Sequence, residues 1–235
     1  MCLLPGACYS SRVSSTREKD TILDKEARKR SLEGLEIRAL DESRVGKAVD
    51  VVARGMRDNP LHVTAYGEDP EHRLRKVHRF VSAGFAVKDF SSHTLVARRA
   101  DGAIVGVGGM LPPGDCLPTL GEKVRMMPRL LSNGPLTVGR VMRWLSVWDK
   151  HHPKEQHWHL GPLAVDAHLQ GMGVGSKLMQ AFCAQMDAAG EDAYLETDKE
   201  INVRFYERFG FEVISEEEVL GAPNWFMLRQ PGSSR

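Results

Sequence analysis

Apolar positions first fall into order at Leu35, Ile37 and Leu40, which predict a strand. Asp41 follows as a helix N-cap, and Val45, Ala48, Val49 and Val52 recur at the spacing of one helix face, so the ordered chain opens β-α. A second helix is predicted between Glu71 and Phe85, beyond the breaker pairs Asn59-Pro60 and Asp69-Pro70. His93 to Arg99 and Ala103 to Met110, each alternating or massed with apolar residues, flank Asp101-Gly102 and predict an antiparallel hairpin. From Pro112 to Gln156 the strand rhythm lapses. Two helical patterns there, Glu122 to Leu131 and Leu136 to Lys150, predict an insertion, with Val141, Leu145 and Trp148 of the second on one core-facing side. The remainder predicts strand His157 to Val165, a glycine loop, helix Gly173 to Ala189, strand Ala193 to Thr197, helix Lys199 to Phe209, and strands Phe211 to Ile214 and Asn224 to Leu228. Gly190 and Gly210 sit where those two helices should end.

Residues 1–34 carry no recurring apolar face and are expected to be a solvated tail, leaving 35–230 as one domain with 112–156 inserted. A chain of 235 residues suits one sizeable core. Thirty-two basic residues against 31 acidic ones leave a net charge of +1, which supplies no global field, and no nucleic-acid partner is expected. Cys2, Cys8, Cys116 and Cys183 form no C-x-x-C pair, which fits a reducing compartment. No apolar run approaches the roughly 20 residues of a membrane span, and the N-terminal stub is short for a signal core. The expectation is a cytoplasmic protein without a membrane partner, as monomer or homodimer.

The chemistry concentrates at Gln170-Gly171-Met172-Gly173-Val174-Gly175-Ser176, between a strand and a helix whose apolar face is Val174, Leu178, Phe182 and Met186. A helix start leaves backbone N–H groups unpaired at the positive end of the dipole, and glycines let a phosphate approach them. Three loop families compete. A P-loop requires G-x-x-x-x-G-K-[ST], which Gly175-Ser176-Lys177 does not complete. A dinucleotide loop shares Gly171-x-Gly173 and finds an acid in Glu196, but Ser176 stands at its third glycine and the loop comes too late for a doubly wound sheet to follow.

Gln170, Gly173 and Gly175 instead occupy the three defining positions of the Q/R-x-x-G-x-G/A signature, and the sequence resembles GNAT acetyltransferases. Gly161-Pro162, which interrupts the preceding strand, agrees with the kinked strand of that family. The run His151-x-Pro153-Lys154-Glu155, with Leu195-Glu196-Thr197, Asn202, Phe205-Tyr206-Glu207-Arg208 and Gly210-Phe211, is similar to puromycin N-acetyltransferase-like enzymes over roughly residues 151 to 230.

The resemblance implies an α/β GNAT fold, a mixed sheet of about six to seven strands flanked by helices. It implies acetyl-CoA as co-substrate, bound by Leu163, Ala164, Val165, Gln170 to Ser176, Asn202 and Tyr206. The implied reaction is N-acetylation of a small-molecule primary amine, such as an aminonucleoside. A peptide acetyltransferase and a non-catalytic acyl-CoA-binding protein are the alternatives.

Asn202 and Tyr206 are four apart and share a helix face, which the resemblance aims at the cofactor, so Tyr206 is the expected general acid. Glu196 is the expected base. His159, read as sharing a strand face with Leu163 and Val165, competes with it, as does a water. His151, His152, His157 and His159 are expected to hold no metal, because no cysteine stands near them in sequence and their spacing converges on no helix face.

Overall fold

The computed structural model describes Glu26 and residues 28–88 and 90–233, without the side chains of residues 90 and 91. Residues 28–30 form a helical turn, and Leu32 packs with Leu35 against the core. Residues 1–25 of the expected tail lie outside the described residues.

Strand β1 (Glu36–Ala39) leads to a short turn capped by Asp41, whose Oδ1 accepts from the Ser43 N–H at 2.8 Å, and then to helix α1 (Val45–Met56). Asn59-Pro60 starts a helix instead of merely ending one. Pro60 occupies the first position of α2 (Pro60–Tyr66), where its missing N–H costs nothing. Pro70 does the same for α3 (Pro70–Phe85), which Asp69 caps.

The hairpin β2 (Leu95–Arg98) and β3 (Ile104–Leu111) forms as expected. In the insertion, α4 (Leu120–Leu131) begins at a capping box of Thr119 and Glu122, and α5 (Pro135–His151) buries Val141 and Trp144 with Leu145 and Trp148 beside them. There follow β4 (Trp158–Val165), α6 (Val174–Ala189), β5 (Ala193–Thr197), α7 (Glu200–Glu207), β6 (Glu212–Val219) and β7 (Ala222–Arg229).

The seven strands form one mixed sheet in the order β1-β2-β3-β4-β5-β7-β6. The final hairpin is longer than the apolar pattern predicts. Leu220 and Gly221 both take positive φ, 54° and 81°, and close a tight turn that lets Ser215 to Glu218 extend β6. That acidic run sits on the sheet's outer strand, where Lys150 and His151 pair with Glu217, so pairing and solvent override its charge.

Two cores flank the sheet. On one face Val49, Val52, Leu61, Val77 and Trp144 pack α1, α2, α3 and α5 onto Val107 and Ala164. On the other, Leu178, Phe182, Val203 and Tyr206 pack α6 and α7 onto Leu160, Leu195 and Met227.

Buried Arg73 ties the first of these layers together. It donates to the carbonyls of Arg57, Gly67 and Glu68 at 2.8–2.9 Å and to Asp58 Oδ1 at 2.5 Å. Arg73→Met leaves those carbonyls without their donor and should cost about 2–4 kcal/mol, read as a lower denaturation midpoint. The ion pair itself contributes little, because the Asp58 side chain is 54% exposed. Hydrogen bonds from Arg57 and Arg73 hold the Asp58 carboxyl down to about 2, from an ordinary 3.8. Its share of stability is therefore complete above about pH 4 and lost as the pH falls towards 2, a dependence that Arg73→Met should shrink.

Candidate functional site

Strand β4 is bound to β3 on one side along most of its length, but to β5 only at Trp158↔Ala193 and His159↔Tyr194. Beyond that point the parallel neighbours separate, leaving the β5-facing backbone edge of Leu163, Ala164 and Val165 unpaired with it. The cause is local. The β3–β4 register shifts between Gly108 and Met110, opposite the Leu160 to Leu163 stretch that holds Gly161-Pro162.

The shift also changes which face each residue takes. Leu163 and Val165 pack with Leu160 on the α6 side, while Ala164 joins the α1 side. His159 therefore stands on the face opposite Leu163 and Val165. Strict alternation placed them together, and the bulge corrects it.

At the open end of the splay lies the glycine loop. Gly171 and Gly173 take φ of 76° and 86°, a region side-chain-bearing residues rarely enter, and a Cβ on either would meet nothing within 4 Å. Gly173 is the N-cap of α6 and offers no side chain to the first turn, so the N–H groups there face outward without an internal partner. The Gln170 side chain is engaged within the protein. Its Nε2 donates to Gly55 O at 3.0 Å and Val165 O at 3.1 Å, fixing the loop against α1 and β4. Asp166, paired with Arg54 at 2.7 Å, adds a second tie to α1. Gly55 permits this approach, because a Cβ there would lie 2.5 Å from Val165 O.

Residues from the N-terminal stretch reach the same place. Lys29, Arg30 and Leu32, with Met172, Gly173 and Lys177, line a cleft of about 520 Å³ beside the loop. The apolar pattern gave no sign of this, although Leu32 is the residue that anchors the segment.

On the α6 face, Tyr206 of α7 is 7% exposed, its ring 5.2 Å from Phe205 and 5.9 Å from Phe211 between centroids. Its hydroxyl has no hydrogen-bond partner among the described residues. Burial and then the Asp198 charge hold the phenol above its ordinary range. Asn202 turns its amide to Thr197 Oγ1, 3.1 Å away.

On the opposite face, Glu196 and His159, the two competing bases, are joined: Oε2 meets Nε2 at 2.7 Å, with the side chains 4% and 16% exposed. Burial disfavours an imidazolium here, but the charge and hydrogen bond of Glu196 outweigh it and raise His159 above its ordinary value.

Tyr194, fully buried, lies in a ring of histidines, its centroid 5.3 Å from His152 and from His157 and 5.7 Å from His159. No cysteine stands near these histidines in sequence, but one does in space. Cys116, 41 positions before His157, comes within 3.7 Å of that residue's carbonyl, because the loop after β3 folds back over the start of β4. Burial pushes its thiol up to about 11.

Fold and loop together put the protein among the acetyltransferases. Residues 60–211 match the Acetyltransferase (GNAT) family, and the chain belongs to it. Similar folds occur in a structure described as histone acetyltransferase HPA2 and related acetyltransferase from Corynebacterium glutamicum, with 23% identity over 84% of this chain and 97% of that one and a TM-score of 0.64. A Drosophila melanogaster polyamine N-acetyltransferase matches at 16% identity over 83% and 99%, TM-score 0.57. Arylalkylamine N-acetyltransferase 2 from Aedes aegypti matches at 15% over 83% and 98%, TM-score 0.56. At such identities the likeness concerns the fold.

Proposed function

We propose that this protein transfers the acetyl group of acetyl-CoA to a primary amine of a small molecule. The observation that carries the reading is the splay of β4 from β5, with an unpaired helix start at its mouth, Tyr206 on one side of the sheet and Glu196 on the other. Acetyl-CoA, when bound, supplies the thioester.

The N–H groups of the first turn of α6, reached over Gly171 and Gly173, suit its pyrophosphate, and the free edge of Leu163 to Val165 suits its amide-bearing arm. Lys29, Arg30 and Lys177 line the cleft beside the loop together with Glu26 and Glu33, leaving one positive charge in excess. Glu196, directly or through water, takes a proton from the amine nitrogen, and His159 holds that carboxylate in place. Tyr206 keeps its phenolic proton for the departing sulfur.

Acceptors enter from the side of Glu196, which α5 and the N-terminal helices flank, and that cover favours a small molecule over a peptide. The C-terminal resemblance adds aminonucleosides to the acceptors worth testing, beside the polyamines and arylalkylamines named for the structural neighbours.

Thiol release from acetyl-CoA across puromycin, polyamines, agmatine, arylalkylamines and lysine peptides tests the proposal. Release with at least one small amine and none with peptides is expected. Release with peptides alone would replace the acceptor class, and a flat result throughout would favour an acyl-CoA-binding protein.

A further inference from the structure

Outside the transfer machinery, two imidazoles face each other in an arrangement that hydrogen bonding alone does not satisfy. His157 Nδ1 lies 2.7 Å from the carbonyl of Glu155, and His152 Nδ1 lies 3.1 Å from the carbonyl of Pro153. A carbonyl only accepts, so both Nδ1 atoms carry their hydrogens, and in the neutral rings both Nε2 atoms are bare lone pairs. Those two Nε2 atoms are 3.4 Å apart.

A hydrogen bond between them requires an extra proton on one ring. His157 is only 3% exposed, and a charge placed in such a buried pair is disfavoured. A cation that accepts both lone pairs removes the conflict. Carbonyl-bound Nδ1–H groups are also how metal-ligating histidines are commonly oriented.

The dimensions agree. Two nitrogens about 2.0–2.1 Å from a tetrahedral zinc ion stand about 3.3–3.4 Å apart. The third donor is Cys116: its sulfur and one ring nitrogen from each histidine all lie within 4.8 Å of one another. Beside the same rings, His159 Nδ1 is buried without a hydrogen-bond partner, and Tyr194 Oη, short of a well-formed hydrogen bond, faces the Glu196 carboxylate.

We propose that Cys116, His152 and His157 bind a divalent cation of the zinc class, joining the loop after β3, the end of α5 and the start of β4. The thiol proton passes to solvent as the thiolate–metal bond forms, and the fourth coordination position is open to water. The ion would clamp both ends of the insertion onto the sheet beside Glu196. The inference stands apart from acetyl transfer, since its readouts need neither acetyl-CoA nor an amine.

Full-length protein stripped with a chelator and titrated with Co²⁺ provides the test. One equivalent should bind and give a thiolate-to-cobalt charge-transfer band that Zn²⁺ abolishes, and Zn²⁺ should raise the melting temperature until chelator is added. Cys116→Ser should lose the band and weaken Co²⁺ binding at least about tenfold, as should His157→Gln. A variant with Cys2, Cys8 and Cys183 all changed to serine retains only Cys116 and should keep the band, which decides the matter even where Cys116→Ser folds poorly. Absence of stoichiometric binding, or loss of the band in the triple variant, would overturn the site.

Discussion

Gly173→Asp is expected to abolish acetyl-CoA binding while the chain stays folded. The backbone at Gly173 has φ of 86°, and aspartate is among the residues that tolerate this region at modest cost. Space is no obstacle, since a Cβ there meets nothing within 4 Å. The loss comes from charge: a carboxylate at the start of α6 would take the N–H groups that the pyrophosphate needs and repel the phosphates as well.

A fall of at least about 100-fold in affinity is expected, or roughly 2.7 kcal/mol, by titration calorimetry. Gly173→Ala separates the causes. It brings the backbone strain, on the order of 1 kcal/mol, without the charge, and should bind several-fold more weakly than the parent but far better than the aspartate variant. A folded Gly173→Asp protein with parental affinity would remove the loop from the site.

The loop was legible because its chemistry is written in consecutive residues: a signature, a helix face behind it, and a strand interrupted by Gly161-Pro162 before it. So were most elements, where apolar spacing and a local cap or turn signal agree, as at Asp41 and Asp101-Gly102. What the order of residues leaves unread depends on contacts distant in the chain.

His159 changed faces because the β3–β4 bulge shifts parity by one, and no residue of β4 alone announces how many positions a bulge inserts. Glu196 and His159 looked like rivals because they are 37 positions apart, and only the parallel pairing of β4 with β5 brings them to 2.7 Å. Gln170 matched the signature, yet the acceptors of its amide include Gly55, 115 positions away. Asn59-Pro60 was read as a breaker when the same chemistry opens α2, a matter of which side of the proline carries the apolar face. The cluster of Cys116, His152 and His157 was hidden because its members come from three elements and share no spacing in the chain.

Tyr206→Phe should slow turnover by roughly 10²–10⁴-fold and leave folding and cofactor affinity nearly unchanged. The ring packs against Phe205 and Phe211, contacts that phenylalanine retains, and the hydroxyl it removes makes no hydrogen bond within the described residues. Because burial and the Asp198 charge hold the phenol above its ordinary value of about 10, the parent keeps that proton throughout the usual assay range. Any alkaline limb owed to Tyr206 therefore lies above about pH 10, and the variant's loss should be nearly constant below it.

Single-turnover measurement is needed, since slow product release would mask a defect in the chemical step. Glu196→Gln should behave differently. The amide keeps a polar contact with His159 but accepts no proton, so the defect should be greatest at low pH, where more amine arrives protonated, and ease as the pH rises. An unchanged single-turnover rate in Tyr206→Phe would eliminate the tyrosine as acid and assign protonation of the sulfur to solvent. A pH-independent defect in Glu196→Gln would instead make the carboxylate a positioning partner of His159.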